Sequence, residues 1–300
     1  MKIVLTGGTG YIGRYVASRL EEEGYDMHYI VRPTSDTSVL QGQSKVHVLQ
    51  DNKDLYILLD RIRPDVVVHI AGMFVGEHTE DTIQPLIASN IEFPTILLDA
   101  AISAGCSKII NTSSYWQYYE SRDYSPVNLY AATKQALEVL AKYYVEAKGM
   151  SMVDLMLFDV YGPEDRRRKV LNLVAALEDG EHMAMSPGDQ KMFFCYIDDV
   201  VDAYIRALDV VRALDAGKYV KYAVRDEKPI RLKDFIELYL EVAGKCVELL
   251  WGERSHRPRE IMNPENIGEV LDGWSPKCSV REGLMKYVEG GNADGNNTGR

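Results

Sequence analysis

A tyrosine and a lysine four residues apart, Tyr130-Ala131-Ala132-Thr133-Lys134, open a stretch of helical periodicity that runs to about residue 144. That spacing puts the phenol and the ammonium on one helix face. A phenol with an ordinary pKa of about 10 is a poor proton carrier at neutral pH, but a nearby cation favours the phenolate and draws the value toward the working range. The expected chemistry is proton transfer at an oxygen. Ser114, ending the run Lys108-Ile109-Ile110-Asn111-Thr112-Ser113-Ser114, is the candidate for holding that oxygen beside Tyr130. The competing assignment makes Ser113 and Ser114 helix caps or turn residues. Tyr-x-x-x-Lys arises readily by chance in a chain with 19 tyrosines, so its weight depends on what accompanies it.

A second motif stands at the N-terminus. The apolar run 2–6 passes directly into Gly7-Gly8-Thr9-Gly10-Tyr11-Ile12-Gly13 and then into an amphipathic stretch that ends near Gly24. Glycines at 7, 10 and 13 allow a sharp turn, a close approach of backbone to a diphosphate and tight helix–sheet packing. The following helix starts at Tyr11 and Ile12 and directs its N-terminus at the phosphates. A dinucleotide is the expected cofactor. In an NAD site an acidic residue about 20 positions on accepts from the ribose 2′-hydroxyl; Arg32 occupies that position, with Thr34 and Ser35 just beyond. A guanidinium suits a 2′-phosphate, so NADP(H) is expected, unless Arg32 is only a solvated strand end. Asp51, after the third strand, is placed for the adenine edge, and Ala71-Gly72, after the fourth, lets the dinucleotide lie close to backbone. Either position also suits an ordinary loop terminus.

The elements that must carry these motifs alternate in type. Strand-like runs at 2–6, 27–32, 45–49, 66–70, 108–112 and 153–160 are separated mostly by helical patterns, which predicts an α/β, doubly wound parallel sheet. Beyond Gly162 come isolated helices at 170–179, 200–208, 232–243 and 280–287 with short strand-like pieces between, which predicts a smaller mixed C-terminal lobe. The boundaries expected are 1–162 for the dinucleotide-binding part, with a later strand contributed from about 190–197, then 163–288 for the lobe and 289–300 for a disordered Gly/Asn-rich tail. The glycosylation sequon at Asn296 carries no weight in a cytosolic chain.

With 34 Lys and Arg against 45 Asp and Glu, the net charge is −11, which opposes nucleic-acid backbones and anionic lipid. The four cysteines, Cys106, Cys195, Cys246 and Cys278, lack zinc or thiol-exchange spacing and read as reduced packing residues. No metal is expected. Apolar stretches are broken before 18 residues and no signal sequence opens the chain, so a cytoplasmic protein without membrane spans is expected.

Together these motifs resemble the extended short-chain dehydrogenase/reductase family of nucleotide-sugar epimerases, dehydratases and reductases, over about residues 1–288. The likeness includes His69-Ile70-Ala71-Gly72, Asn90, Phe158-Asp159-Val160-Tyr161-Gly162-Pro163, Tyr196-Ile197-Asp198-Asp199-Val200-Val201-Asp202-Ala203 and Gly273-Trp274-Ser275-Pro276. It implies a modified Rossmann fold, a nucleotide-sugar lobe, Val160 beside the cofactor and a homodimer formed through 85–104 and 130–146. Departures refine it. The dehydratases follow the catalytic hydroxyl with Asp-Glu, whereas Tyr115-Trp116 follows Ser114 here, and without that acid and base elimination is not expected. Asn128–Lys134 and 157–163 look most like the CDP-abequose and CDP-paratose synthases, which reduce a 4-keto-6-deoxyhexose carried on a nucleotide. Asp159 replaces a common Asn, and Phe93-Pro94 replaces a small pair after Asn90.

The substrate implied is a nucleotide-diphosphate sugar. Candidate contacts are Ser114, Tyr115, Asp159, Phe194, Arg257, and Arg168 and Lys169 within the basic run Arg166-Arg167-Arg168-Lys169. Members of such a run are as often solvated as ligand contacts. Asp198 and Asp199 suit a helix N-cap better than a metal, and His69 suits a backbone-satisfied strand end. The expected activity is NADPH-dependent reduction of the C4 ketone. The alternatives are a 4-epimerase that retains NAD, which Arg32 disfavours, and a cofactor-sensing scaffold, which the intact Ser114, Tyr130 and Lys134 disfavour.

Overall fold

A computed structural model describes residues 1–40, 45–120 and 123–290. Valine, isoleucine and leucine crowd the short strands β1 (Lys2–Thr6) and β4 (Val66–His69), and Ile109 and Ile110 open β5 (Lys108–Ser114), so these strands are apolar on both faces over that length and must be covered on both. The result is a seven-stranded, wholly parallel sheet. Its other members are β2 (Asp26–Val31), β3 (Val46–Val48), β6 (Ser151–Leu157) and β11 (Tyr219–Val224), in the order β11-β6-β5-β4-β1-β2-β3. One face is covered by α1 (Tyr11–Glu22) and α7 (Ile197–Ala213), the other by α2 (Asp54–Ile62), α4 (Phe93–Ser103) and α5 (Leu129–Lys148).

Strand order reverses between β1 and β4, and a crevice at the C-terminal strand ends is the expected ligand site of such a sheet. The register brings Thr6 opposite His69, His69 opposite Asn111 and Ser114 opposite Leu157, so the motif-bearing strand ends lie at one edge.

Three expectations about elements change. The last strand of the sheet is β11, not 190–197: β10 (Phe194–Tyr196) pairs with β7 (Asp159–Tyr161) in a separate two-stranded ribbon. The single strand foreseen at 153–160 divides into β6 and β7 because Phe158 leaves the sheet to stack on Tyr115 and meet Phe193 edge-on. Helix α7 exceeds 200–208 at both ends, since its apolar stripe of Ile197, Val200, Val201, Tyr204, Ala207, Leu208 and Val211 keeps helical spacing. Further out lie α6 (Val170–Ala175), α8 (Leu232–Ala243) and α9 (Val280–Glu289); α9 occupies the start of the expected tail, and 291–300 lie outside the described residues. Two more ribbons tie the outer lobe together, β8 (His182–Met185) with β13 (Glu248–Trp251) and β9 (Lys191–Met192) with β12 (Ile230–Arg231).

Helix α3 (Glu80–Ile87) continues through a π-helical turn at Ala88–Glu92 into α4. Pro94 offers no N–H to the Asn90 carbonyl, which loosens the ladder there and turns the Asn90 side chain inward. The run Glu80–Ser103 is long and apolar enough by length and composition to cross a membrane; here Leu86, Leu97, Leu98, Ala100 and Ala101 are buried, and α4 packs against α2 and α5.

Candidate active site

The glycine turn packs so closely on its own backbone neighbours that side chains are excluded. Gly7 has φ +79°, and a Cβ there would come within 2.5 Å of the Ala71 nitrogen; one on Gly13 would come within 2.0 Å of the Gly7 carbonyl oxygen. Gly10 caps α1 without a side-chain partner, and no acidic residue lies in the first helical turn, so its amides and dipole remain available to an anion. Ala71 and Gly72 close the opposite side, where a Cβ on Gly72 would reach 3.1 Å from Lys134 Nζ and 3.2 Å from Asn90 Oδ1. Asn90 pins this loop, accepting from the Met73 amide at 2.8 Å and donating to the Met73 carbonyl at 2.9 Å and to Thr133 at 3.0 Å. The residues present fit a dinucleotide: Gly7, Gly10, Tyr11, Ile12 and Gly13 would hold its diphosphate, with Ala71, Gly72 and Lys134 beside them at the neighbouring strand ends.

Arg32 follows the last residue of β2 and is exposed, in a turn where the Ser35 amide donates to the Arg32 carbonyl at 3.0 Å and the Arg32 amide to Ser35 Oγ at 3.2 Å. Its guanidinium forms no ion pair among the described residues. Asp51 starts the turn into α2 and accepts from the Lys53 amide at 2.8 Å, the role of a loop terminus. The Val160 side chain is buried in the core, so only its backbone faces the cleft; its carbonyl accepts from Arg167 at 2.9 Å and Lys169 at 3.3 Å.

Ser114 ends β5, and Tyr130 and Lys134 lie in the first turns of α5, which packs on that strand. Asn128 caps α5 by accepting from the Ala131 amide at 3.0 Å, which starts the helix one residue before Tyr130. Ser114 Oγ lies close enough to the phenol to favour its ionised form and accepts from the Trp116 amide at 3.3 Å, so it acts as both cap and site residue. Lys134 Nζ donates to the Thr112 carbonyl at 3.0 Å.

The electrostatics depart from the expected picture. Burial pushes the Tyr130 phenol up to about 12; the opposing influences are Ser114 and the Arg167 guanidinium, not the ammonium four residues on. Burial brings Lys134 down to about 8, against the pull of the Asp154 and Glu138 carboxylates. Tyr130 is therefore a neutral proton donor at neutral pH.

Beneath Lys134 lies a polar cluster that no motif announced. Asp154 is fully buried on β6 and accepts from Asn111 at 3.1 Å and Tyr219 at 3.0 Å. Glu138, one turn beyond Lys134, accepts from Gln117 at 2.5 Å and from Lys221, which in turn donates to Tyr118 at 2.9 Å. The only sequence signal was Glu138 at i+8 from Tyr130. His69 is bonded to the Thr6 hydroxyl at 2.7 Å rather than to backbone, and burial holds it near 3, uncharged. Asp199 is not an N-cap: it accepts from the Lys277 and Cys278 amides at 2.8 and 3.1 Å and ties down the segment carrying Trp274. Among the described residues no cluster has metal-binding geometry.

A cavity of about 430 Å³ opens beside Phe74 and Trp116. Phe74, 62% exposed, meets the Tyr130 ring edge-on at 5.0 Å and the Trp116 ring at 5.4 Å. Trp116 lines the cavity; Tyr115, expected to do so, is buried against Phe158 and donates its hydroxyl to Asp159 at 2.7 Å. Asp159 lines the wall and also receives Lys169 at 3.3 Å. Arg168 is exposed at the rim, and Phe194 stacks on Phe235 at 3.6 Å. Arg257 is gripped by Glu260 through two bonds of 2.8 Å and lies 4.8 Å above the Trp116 ring. Of the expected substrate residues, Asp159, Arg168, Lys169, Phe194 and Arg257 thus meet at one cavity, whereas Ser114 and Tyr115 do not line it.

Residues 3–223 match the model of the NAD dependent epimerase/dehydratase family. CDP-abequose synthase from Salmonella muenchen is 28% identical over 96% of this chain and 97% of its own length. The enzyme of that name from Yersinia pseudotuberculosis is 28% identical over 88% and 92%. Among solved structures, the UDP-glucose 4-epimerase of Thermus thermophilus in complex with NAD superposes with a TM-score of 0.80 at 21% identity, over 97% of this chain and 98% of that one. The Bacillus cereus UDP-glucuronic acid 4-epimerase gives 0.79 at 23%, over 96% and 98%. The fold, the glycine turn and the match across most of the sheet place the chain in the NAD dependent epimerase/dehydratase family of extended short-chain dehydrogenases/reductases.

Proposed function

We propose that the protein is a cytoplasmic NADPH-dependent reductase of the C4 ketone of a nucleotide-diphospho-4-keto-6-deoxyhexose, with CDP as the nucleotide, in deoxysugar biosynthesis. The observation that carries this reading is Tyr130: a phenol kept protonated by burial, near Ser114 and met edge-on by Phe74, equipped to give a proton to an oxygen. When bound, the nicotinamide dinucleotide supplies the hydride. Ser114 holds the ketone oxygen, Tyr130 protonates it as negative charge develops, and Lys134, anchored on the Thr112 carbonyl, holds the nicotinamide ribose. Arg32 holds the 2′-phosphate. The likeness to CDP-abequose synthases supports the choice of sugar and nucleotide.

The resemblance of the fold to NAD-containing UDP-sugar 4-epimerases favours a second reading, a 4-epimerase with retained NAD. Mixing the protein with NADPH and a CDP-4-keto-6-deoxyhexose separates the two: stoichiometric NADPH oxidation is expected, and its absence together with C4 inversion of an unoxidised sugar nucleotide overturns the reductase. We further propose a homodimer joined through α3–α4 and α5, whose outer faces expose Ile83, Ile87, Val139, Leu140 and Tyr143.

A further inference from the structure

The four cations of the basic run 166–169 do not share one environment. Arg166 and Arg168 are exposed, and Lys169 turns to Asp159. Arg167 shares the Val160 carbonyl with Lys169 but is fixed there by a different carboxylate. Its Nε and Nη2 donate to the two oxygens of Asp165 at 2.7 Å each, and Nη2 donates again to the Val160 carbonyl at 2.9 Å. The Asp165 side chain is 1% exposed, so this ion pair is anchored in the protein rather than swept through solvent. Held by this fork, the guanidinium lies 4.3 Å from the centre of the Tyr11 ring. Tyr11 is the first residue of α1, directly after the glycine turn, and its own hydroxyl is buried with no hydrogen-bond partner among the described residues.

Two features show that this arginine does more than neutralise Asp165. Only three of its five N–H groups are used; Nη1, with two, makes no hydrogen bond among the described residues. Its place is also specific, over the residue that opens α1, where the helix amides already lack a capping side chain. The positive charge reaches across the cleft as well, since Arg167 favours the phenolate of Tyr130. A chain of net charge −11 that binds a polyanionic dinucleotide needs local cations, and this one is already oriented, so little side-chain entropy remains to be lost on binding.

We infer that Arg167 is a cofactor-binding residue whose free Nη1 edge binds the diphosphate of the nicotinamide dinucleotide, completing the site opened by the α1 amides. The sugar nucleotide carries the same chemical group, but Arg167 does not line the 430 Å³ cavity, whereas Arg168 and Lys169 do. Asp165 is then a positioning residue, holding the fork. This inference rests on the dinucleotide site and is independent of which sugar is reduced.

The test is equilibrium titration of the purified protein with NADPH, NADH, ADP-ribose and CDP. Arg167→Gln is expected to raise the dissociation constants of NADPH, NADH and ADP-ribose by a common factor of about tenfold, the loss of one charge-assisted contact, while CDP stays within twofold. Arg167→Lys, which keeps the charge without the fork, is expected to fall between. Because Arg167→Gln strands the buried Asp165, the double variant Asp165→Asn/Arg167→Gln, with its melting temperature compared with the parent, keeps the test open if the single variant unfolds. Unchanged affinity for NADH and ADP-ribose in a folded variant overturns the inference. So does a loss confined to NADPH, which points to the 2′-phosphate, or to CDP, which points to the sugar nucleotide.

Discussion

The two halves of the cleft are built in opposite ways. The half around Gly7, Gly10 and Gly13 is made of backbone: what matters is the absence of side chains and the direction of amides, and one wrong Cβ would fall on a carbonyl oxygen. The half around Asp159, Trp116 and Arg257 is made of side chains clamped to one another, Tyr115 and Lys169 on Asp159, Glu260 on Arg257. A backbone site tolerates almost no substitution at its glycines and binds the part common to all dinucleotides. A clamped side-chain site can be retuned one pair at a time, which suits the half that distinguishes sugars.

Substitutions should break the two halves differently. The largest effect is expected from Gly13→Ala, whose new methyl would lie 2.0 Å from the Gly7 oxygen: the turn must move, with at least about 3 kcal/mol lost from stability and cofactor binding abolished, read by thermal melting and NADPH titration. A fully stable variant would show that the turn is adaptable. Tyr130→Phe is expected to lower kcat by about 10²- to 10⁴-fold with the NADPH dissociation constant within twofold, since only the proton donor is removed; appreciable turnover would assign the proton to another group. Asp159→Ala strands Lys169 and Tyr115, and should raise KM for the sugar nucleotide about tenfold while leaving cofactor affinity alone. If cofactor affinity falls equally, the halves are not separable. Arg32→Ala should weaken NADPH by roughly tenfold and NADH hardly at all; equal weakening removes the 2′-phosphate role.

The same contrast explains what the sequence disclosed. Strand, Gly7-x-x-Gly10-x-x-Gly13 and helix are contiguous, so local order and local sterics suffice to read them, and Tyr130 and Lys134 are one helical turn apart. Ser114 needed one further step, the placement of a strand end at the sheet's ligand edge. Tyr115 was assigned to the wrong surface because a side chain's direction at the end of β5 depends on Phe158, more than 40 residues away. Arg167 hid within a run of cations, where charge alone does not say which member turns inward; its selection by Asp165 and the Val160 carbonyl exists only in three dimensions. Asp154 is one polar residue in an otherwise apolar strand, and its partners Asn111 and Tyr219 come from two neighbouring strands. The seventh strand was misplaced for a related reason: 194–196 and 219–224 are both short and apolar, and only pairing with β6 rather than β7 distinguishes them.

The subtlest prediction concerns Lys134, whose ammonium is the one charge in the backbone-built half that burial opposes. Its pKa lies near 8 in the fold against an ordinary 10.5, so the ammonium is present at pH 7 and lost as pH rises through 8. Reduction should hold steady from pH 6 to 7.5 and decline above about 8, and Tyr130, near 12, cannot be the group responsible. Stability should move the opposite way. A cation with a depressed pKa binds its proton more tightly in the unfolded chain, so its destabilising contribution is full below pH 8 and fades between 8 and 10.5. The melting temperature of the native protein relative to Lys134→Met should therefore rise over the same interval in which activity falls. Parallel decline of both would mean that Asp154 and Glu138 hold the ammonium charged to higher pH, and that the cluster beneath the cleft governs the site more strongly than its burial does.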